Sequence, residues 1–329
     1  MVLETTLAGA FPKIGDTTEE QKLRRSLHQF DKNEITEEDL VRIKDEVTEE
    51  VMRLQLEAGL DIVTDGLIRW DDPFRVIVRN ITGVEISGLI RYFDTNTFYR
   101  QPIIESRLEF IKPILVNDFQ FAQEHSNSKA VKVVLPGPYT LAKLSKNRFY
   151  REFKQLAFDM AHLVHKEALA LEEAGCKYIQ FDEPALLQFK QDLPLFMQVY
   201  EILTAQLTKA EKIVQFNFGN VEGIYPKILS LNVERIGIEL TPGHKNWDVI
   251  KSAQFTKKLM AGIVDARNTK MESESELVKL LHQLGESVNL DSTWLSTSHS
   301  LEFLPRSNAQ KKLELLTSVA KQLRGASVS

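Results

Sequence analysis

The stretch Tyr178-Ile179-Gln180-Phe181-Asp182-Glu183-Pro184 decides how this chain is read. A short apolar strand runs into two adjacent carboxylates, and a proline then stops it. Before it, the spacing predicts a helix over 153–174, closed by Gly175. Helix, glycine, buried strand and acid pair make one βα unit with its chemistry at the C-terminal end of the strand. Taken alone, an Asp-Glu pair at such a junction is equally what a solvated turn capping the next helix looks like. The rest of the chain decides between the two.

Working outward, the plan repeats. Glu57-Ala58-Gly59-Leu60-Asp61-Ile62-Val63-Thr64-Asp65 is laid out like Glu173-Ala174-Gly175-Cys176-Lys177-Tyr178-Ile179-Gln180-Phe181-Asp182. In each, a helix ends at Ala-Gly, a strand follows, and the strand closes on an aspartate. Such an echo favours one repeating βα unit over separate domains. The helix ahead of Gly59 starts at a Thr36–Asp39 capping box. It carries Leu40, Ile43, Val47, Val51, Leu54 and Ala58 three or four apart, a stripe that faces a core. An earlier helix starts around Thr17-Thr18-Glu19-Glu20.

Strands are predicted over 3–9, 60–64, 131–135, 178–182, 212–218, 235–240, 258–264 and 293–297. Helices over 193–208, 274–284 and 308–323 separate the later ones. Eight βα repeats in 329 residues describe an α/β fold of the (β/α)8 TIM-barrel type, a single domain over 1–329 with its site at the strand C-termini. Residues 67–129 are too long for a simple βα connection. They read as an insertion between strands 2 and 3, with a hairpin near 81–104 and a helix over 104–124. The rival is a doubly wound sheet, but no strand runs into the glycine fingerprint of a dinucleotide site.

Composition narrows the function. With 43% hydrophobic and 26% charged residues and a net charge of −5, the chain has the balance of a globular enzyme and no basic block for nucleic acid. Its single cysteine excludes an internal disulfide and any zinc site built on two cysteines of this chain. The first residues lack the pattern of a signal peptide, and no apolar run approaches the roughly 20 residues that cross a bilayer. The expected location is the cytoplasm.

In a barrel, Asp65, Asp182, Glu183, Asn217, Glu239, Asp265, Arg267 and His299 all approach one rim. Clustered carboxylates in a cleft suit recognition of an amine, metal binding, or general acid–base catalysis. Some of them could equally be ion pairs that hold the barrel together. No metal site is assigned; Glu239 and His299 with one Asp are the residues a divalent ion would start from. Cys176 lies at a helix-to-strand turn, the end of the barrel opposite this rim, and His162 and His165 share a helix face.

The chain resembles the cobalamin-independent methionine synthases along almost its whole length. The resemblance rests on Gly9-Ala10-Phe11-Pro12, Glu57-Ala58-Gly59, Ile179-Gln180-Phe181-Asp182-Glu183-Pro184-Ala185-Leu186 and Leu295-Ser296-Thr297-Ser298. Those enzymes join two related barrels and move a methyl group from methyl-tetrahydrofolate polyglutamate to the thiol of homocysteine, which zinc activates. Their catalytic barrel takes zinc ligands from positions matching Asn217, Gly219, Glu239 and His299, where only the glutamate is retained. The glutamate used for the homocysteine amino group is replaced by Leu67.

Their zinc-free N-terminal barrel is the better match. Tyr92-Phe93-Asp94-Thr95-Asn96 is similar to its Trp-Phe-Asp-Thr-Asn loop, and Phe218-Gly219-Asn220 to its Phe-Gly-Asp turn. Asp265-Ala266-Arg267-Asn268 is similar to its Gly-Arg-Asn stretch, and Leu295–Leu301 to Leu-Ser-Thr-Ser-Cys-Ser-Leu. The resemblance implies that Lys22, Arg24, Arg25 and Arg91 hold the polyglutamate tail of the folate, a fit for cations facing several carboxylates. It also implies a partner, a separate catalytic barrel carrying zinc. Asp182, Glu183 and His299 are the candidate catalytic residues, and Asp65, Asn217, Glu239, Asp265 and Arg267 the candidate substrate contacts. Two alternatives stay open: an independent barrel enzyme with altered chemistry at its acidic mouth, and a non-catalytic folate-binding or assembly subunit.

Overall fold

Eight parallel strands close on themselves in the computed structural model, which describes residues 3–326. In chain order the strands are β1 (Glu4–Thr6), β2 (Ile62–Val63), β3 (Ile81–Arg91), β4 (Phe98–Phe110), β5 (Ala130–Pro136), β6 (Lys146–Asn147), β7 (Tyr178–Asp182), β8 (Glu211–Phe216), β9 (Arg235–Glu239), β10 (Lys258–Val264) and β11 (Trp294–Thr297). The barrel order is β1-β2-β5-β7-β8-β9-β10-β11, with β11 back against β1. The (β/α)8 barrel expected from the repeat is therefore the fold observed. The expected span of 1–329 includes residues 1–2 and 327–329, which lie outside the described residues.

Because side chains alternate along a strand, each barrel strand serves two cores. Ile62, Ile213, Met260 and Trp294 from four strands form a small buried cluster of their own. A much larger cluster packs the outside of the sheet against the helices. In β7, Tyr178 pairs in register with Lys132 of β5 and Glu211 of β8, which carries Asp182 level with Pro136 and Gln215 at the mouth.

Local chemistry sets the helix ends. In Glu37–Ala58 the Thr36 hydroxyl accepts from the Asp39 amide at 3.1 Å, while the Thr36 amide donates to the Asp39 carboxylate at 3.2 Å. Gly59 ends that helix at φ 88°, a left-handed conformation that costs glycine little. Thr36→Ala is expected to lower stability by about 1 kcal/mol, read as a lower urea midpoint at unchanged m-value. The helix Phe153–Glu173 buries Leu156, Met160, Val164, Ala168 and Leu171 on one face.

The insertion departs from expectation in one element. No helix begins at Ile104: β4 continues to Phe110, and the helix is Val116–Glu124 alone. Antiparallel pairing of β4 with β3 holds the chain extended to Phe110, and Pro113 blocks helix propagation across the gap. β6 joins β4 in parallel, giving a separate three-stranded sheet beside the barrel. Other bounds shift as well: the helix expected over 193–208 ends at Leu203, the one expected over 308–323 runs Arg306–Ala326, and the first two strands shrink to Glu4–Thr6 and Ile62–Val63. After β5 a short helix, Pro138–Leu144, opens with proline at its first position.

Candidate functional site

Asp182 and Glu183 are adjacent, so strand alternation sends them to opposite sides. Glu183 turns outward and is fully buried. It accepts the Tyr139 amide at 3.1 Å, the Thr140 amide at 2.8 Å and the Thr140 hydroxyl at 2.7 Å, which satisfies the free N–H groups that begin the helix Pro138–Leu144. Burial pushes its carboxyl up, to about 8, against the pull of those donors. Gly137 leaves the room: a Cβ there would meet the Glu183 carboxyl carbon at 2.1 Å.

Asp182 turns inward and lines a cleft of about 690 Å³, counted to its open face. One carboxylate oxygen accepts from Gln180 Nε2 at 2.7 Å, and the other has no protein partner among the described residues. Burial raises its pKa to about 7, with the Gln180 hydrogen bond and the Lys132 charge pulling it back.

His299 and Asn217 line the same cleft. His299 is 1% exposed, and its Nδ1 lies 2.9 Å from the Ser300 carbonyl. A carbonyl only accepts, so Nδ1 carries the proton and Nε2 presents a lone pair. Burial drives the pKa of this imidazole down to about 3, keeping it neutral. Neither His299 Nε2 nor Asn217 Oδ1 has a hydrogen-bond partner, although both are buried. Two orphaned acceptors facing one cleft are the mark of a site that a donor-bearing ligand completes.

Glu239 stands behind them, fully buried. Its Oε1 accepts from Arg267 at 3.2 Å, while Oε2 lacks a hydrogen bond and has His244 Nε2 at 3.8 Å. Burial raises Glu239 to about 7, Arg267 lowers it and Asp265 raises it. Arg267 lines a shallower outer recess with Asp94, Thr97 and Phe303. Asp265 braces its own loop, accepting the Arg267 amide at 2.8 Å and the Asn268 side chain. Asp65 is placed apart: it accepts the Leu67 amide at 3.0 Å and borders a narrow crevice with Asp118 and Trp70.

The basic residues are not gathered at the cleft. Lys22 sits 3.4 Å from Glu46 and 3.8 Å from Glu50, Arg25 donates to the Thr18 carbonyl, and Arg24 is exposed. Arg91 donates to the Thr95 carbonyl at 2.5 Å and pairs with Asp94 at 3.5 Å, bracing the hairpin tip.

Several cleft residues escape a reading of strand ends. Trp70, Tyr92, Phe218 and Phe303 form its walls, with Lys13 and Glu302 at the edge. Phe93 from the hairpin stacks on Phe218 at 5.6 Å, and Phe218 lies 4.9 Å from His299. Leu67, Phe93 and Phe218 have φ of 53°, 49° and 63°. Left-handed backbone at bulky residues costs energy and gathers at functional sites. The available signal was the aromatic Tyr92-Phe93 and Asn217-Phe218-Gly219 turns; Trp70 and Phe303 carried none.

Residues 3–322 match the family model described as the catalytic domain of cobalamin-independent synthases. The chain belongs to the cobalamin-independent methionine synthase family. It is 30% identical over 324 residues to a methionine synthase of Saccharolobus solfataricus, covering 98% of this chain and 95% of that one. A methionine synthase of Sulfurisphaera tokodaii is also 30% identical, over 314 residues, with 95% and 90% covered. Among solved structures, a B12-independent methionine synthase from Shewanella sp. W3-18-1 in complex with selenomethionine superposes with a TM-score of 0.85 at 22% identity, over 100% and 99% of the two chains. A putative vitamin-B12-independent methionine synthase from Listeria monocytogenes gives 0.80 at 18% identity, over 98% and 99%. These two likenesses concern the fold.

The zinc centre implied for a methionine synthase of this family does not fit the residues at this mouth. Asn217, Gly219, Glu239 and His299 supply one imidazole and one carboxylate and no thiolate. Among the described residues no group of three or more His, Cys, Asp or Glu is placed to hold a metal ion. Cys176 lies just before β7, buried, with its thiol donating to the Tyr178 carbonyl. Among the same residues no helix is long and apolar enough to cross a membrane.

Proposed function

We propose that this chain takes part in methyl transfer to homocysteine, with methyl-tetrahydrofolate polyglutamate as donor and a separate zinc-bearing barrel activating the thiol. Family membership supports the reaction class, and the printed names of the curated relatives agree with it. The observation that carries the division of labour is the donor set at the mouth, where Asp182, Asn217, Glu239 and His299 stand without a thiolate. Thiol activation at neutral pH needs a lowered thiol pKa, and these residues offer no Lewis acid for it. Asp182 suits an amino group, the two orphaned acceptors suit further donors, and the aromatic walls suit an apolar or planar body. Lys22, Arg24, Arg25 and Arg91 are the proposed contacts of the polyglutamate tail.

The test measures methionine formed from methyl-tetrahydropteroyltriglutamate and homocysteine, with the chain alone, a candidate zinc barrel alone, and both together. Turnover is expected in the mixture and not with the chain alone. In the mixture, Asp182→Asn is expected to lower kcat/KM at least about tenfold, or about 1.4 kcal/mol. A zinc barrel whose rate is indifferent to this chain overturns the reading. One observation favours a second reading, an independent barrel enzyme: Asp182, raised to about 7, borders a cleft beside the neutral hydrogen-bond acceptor His299, which suits a general acid or base at Asp182. Turnover by the chain alone would select it.

A further inference from the structure

The barrel gives no packing reason for a lysine at its centre. Lys132 of β5 is 0% exposed, and its Nζ lies 3.7 Å from the sulfur of Met260, a member of the apolar interior cluster. A methionine there would fill similar space without the cost of several kcal/mol that burying an ammonium carries. Among the described residues no carboxylate stands within ion-pair distance of Nζ. Its strong acceptors are the Leu7 carbonyl at 2.8 Å and Gln180 Oε1 at 2.6 Å.

An ammonium only donates, so it selects one orientation of the Gln180 amide. Oε1 must face Lys132. Nε2 then faces the mouth, where it donates to the Ala8 carbonyl at 2.5 Å and to Asp182 at 2.7 Å. A reversed amide would set its oxygen against the Asp182 carboxylate and its NH2 against the ammonium, two repulsive contacts. The buried cation thus decides which way an amide points, and the amide decides which oxygen of Asp182 is held and which is left to the cleft.

The two ends of this relay, Lys132 and Asp182, are coupled in charge. Burial pushes Lys132 down to about 7 and Asp182 up to about 7, and each favours the charged form of the other. Below Lys132, Arg235 opposes its charge, though it is itself paired with Glu211 at 2.7 Å and stacked on Trp294 at 3.7 Å. Around Asp182 stand Tyr92 from the hairpin, Glu183 from the same strand end, and Lys13, His299 and Glu302 across the cleft.

We propose that Lys132 is a positioning residue for the cleft: through the Gln180 amide it orients the Asp182 carboxylate and supplies its buried counter-charge, so that the two ionise as a unit. This holds whichever substrate fills the cleft, and its test uses no activity. In protein carrying 13C at the aspartate carboxyls, the Asp182 signal is the one lost in Asp182→Asn. In Lys132→Met its titration midpoint is expected to rise by about one pH unit or more, a tenfold gain in proton affinity. Lys132→Arg keeps the charge, and Met260→Leu keeps the lysine, so both are expected to leave the midpoint near its original value. An unmoved midpoint in folded Lys132→Met overturns the proposal. Should that variant not fold, the reciprocal measurement decides, because coupling between two titrating groups is mutual. With 13C at the lysine Cε, the Lys132 midpoint is expected to fall by a similar amount in Asp182→Asn, and no fall overturns the proposal.

Discussion

Glu183→Ala is expected to destabilise the barrel by about 3–5 kcal/mol, because it strands three buried donors and opens a cavity in one step. The Tyr139 and Thr140 amides and the Thr140 hydroxyl all donate to this one carboxyl. Glu183 is fully buried, so these donors lie away from bulk solvent in the native barrel. Glu183→Gln keeps one acceptor oxygen in place and is expected to cost about half as much. Gly137→Ala approaches the same fault from the other side, since its new Cβ must displace a carboxyl held by three hydrogen bonds. Urea unfolding of the three variants is the measurement. A loss under about 1 kcal/mol for Glu183→Ala would return this residue to the role of a solvated turn acid.

The second large effect concerns acid. His299 is neutral in the native barrel, with a pKa of about 3 against an ordinary 6.5. Below pH 6.5 the unfolded chain takes up a proton that the native chain refuses. Stability from this residue is therefore intact above pH 6.5 and is lost as pH falls toward 3, at up to about 1.4 kcal/mol per pH unit. In His299→Gln that dependence disappears. The stability gap between wild type and variant is expected to narrow by about 3 kcal/mol between pH 6.5 and pH 4, measured by urea unfolding at each pH. A gap that does not change with pH would mean that His299 titrates like an exposed imidazole. Glu183 and Glu239 work in the opposite sense, their carboxyls raised to about 8 and about 7 from an ordinary 4.5. Their native forms keep protons that the unfolded chain releases, so their contribution is full below pH 4.5 and lost as pH climbs through 7 to 8.

The barrel was legible because its signals are local. The Thr36–Asp39 capping box, Gly59 and Gly175 after their helices, and apolar strands ending in polar residues each follow from chemistry within a few residues. The helix wrongly expected from Ile104 failed for a long-range reason. Ile103 and Ile104 pair with Glu85 and Val84 across the hairpin and with Lys146 and Asn147 on the other side, and this pairing overrides local helix preference. The family resemblance reached further than periodicity did, because motifs such as Asp182-Glu183-Pro184 mark position as well as character.

That opening stretch shows where the division lies. Strand, acid pair and stop are written in Tyr178–Pro184 itself, and so is the alternation that parts Asp182 from Glu183. What each acid then does was settled elsewhere in the chain. Glu183 caps a helix that begins 45 residues earlier in the sequence, at Pro138. Asp182 is oriented by a lysine on β5 through an amide on its own strand. Charge state, partner and exposure depend on which distant groups share the low-dielectric interior, and chain closure alone brings those groups together.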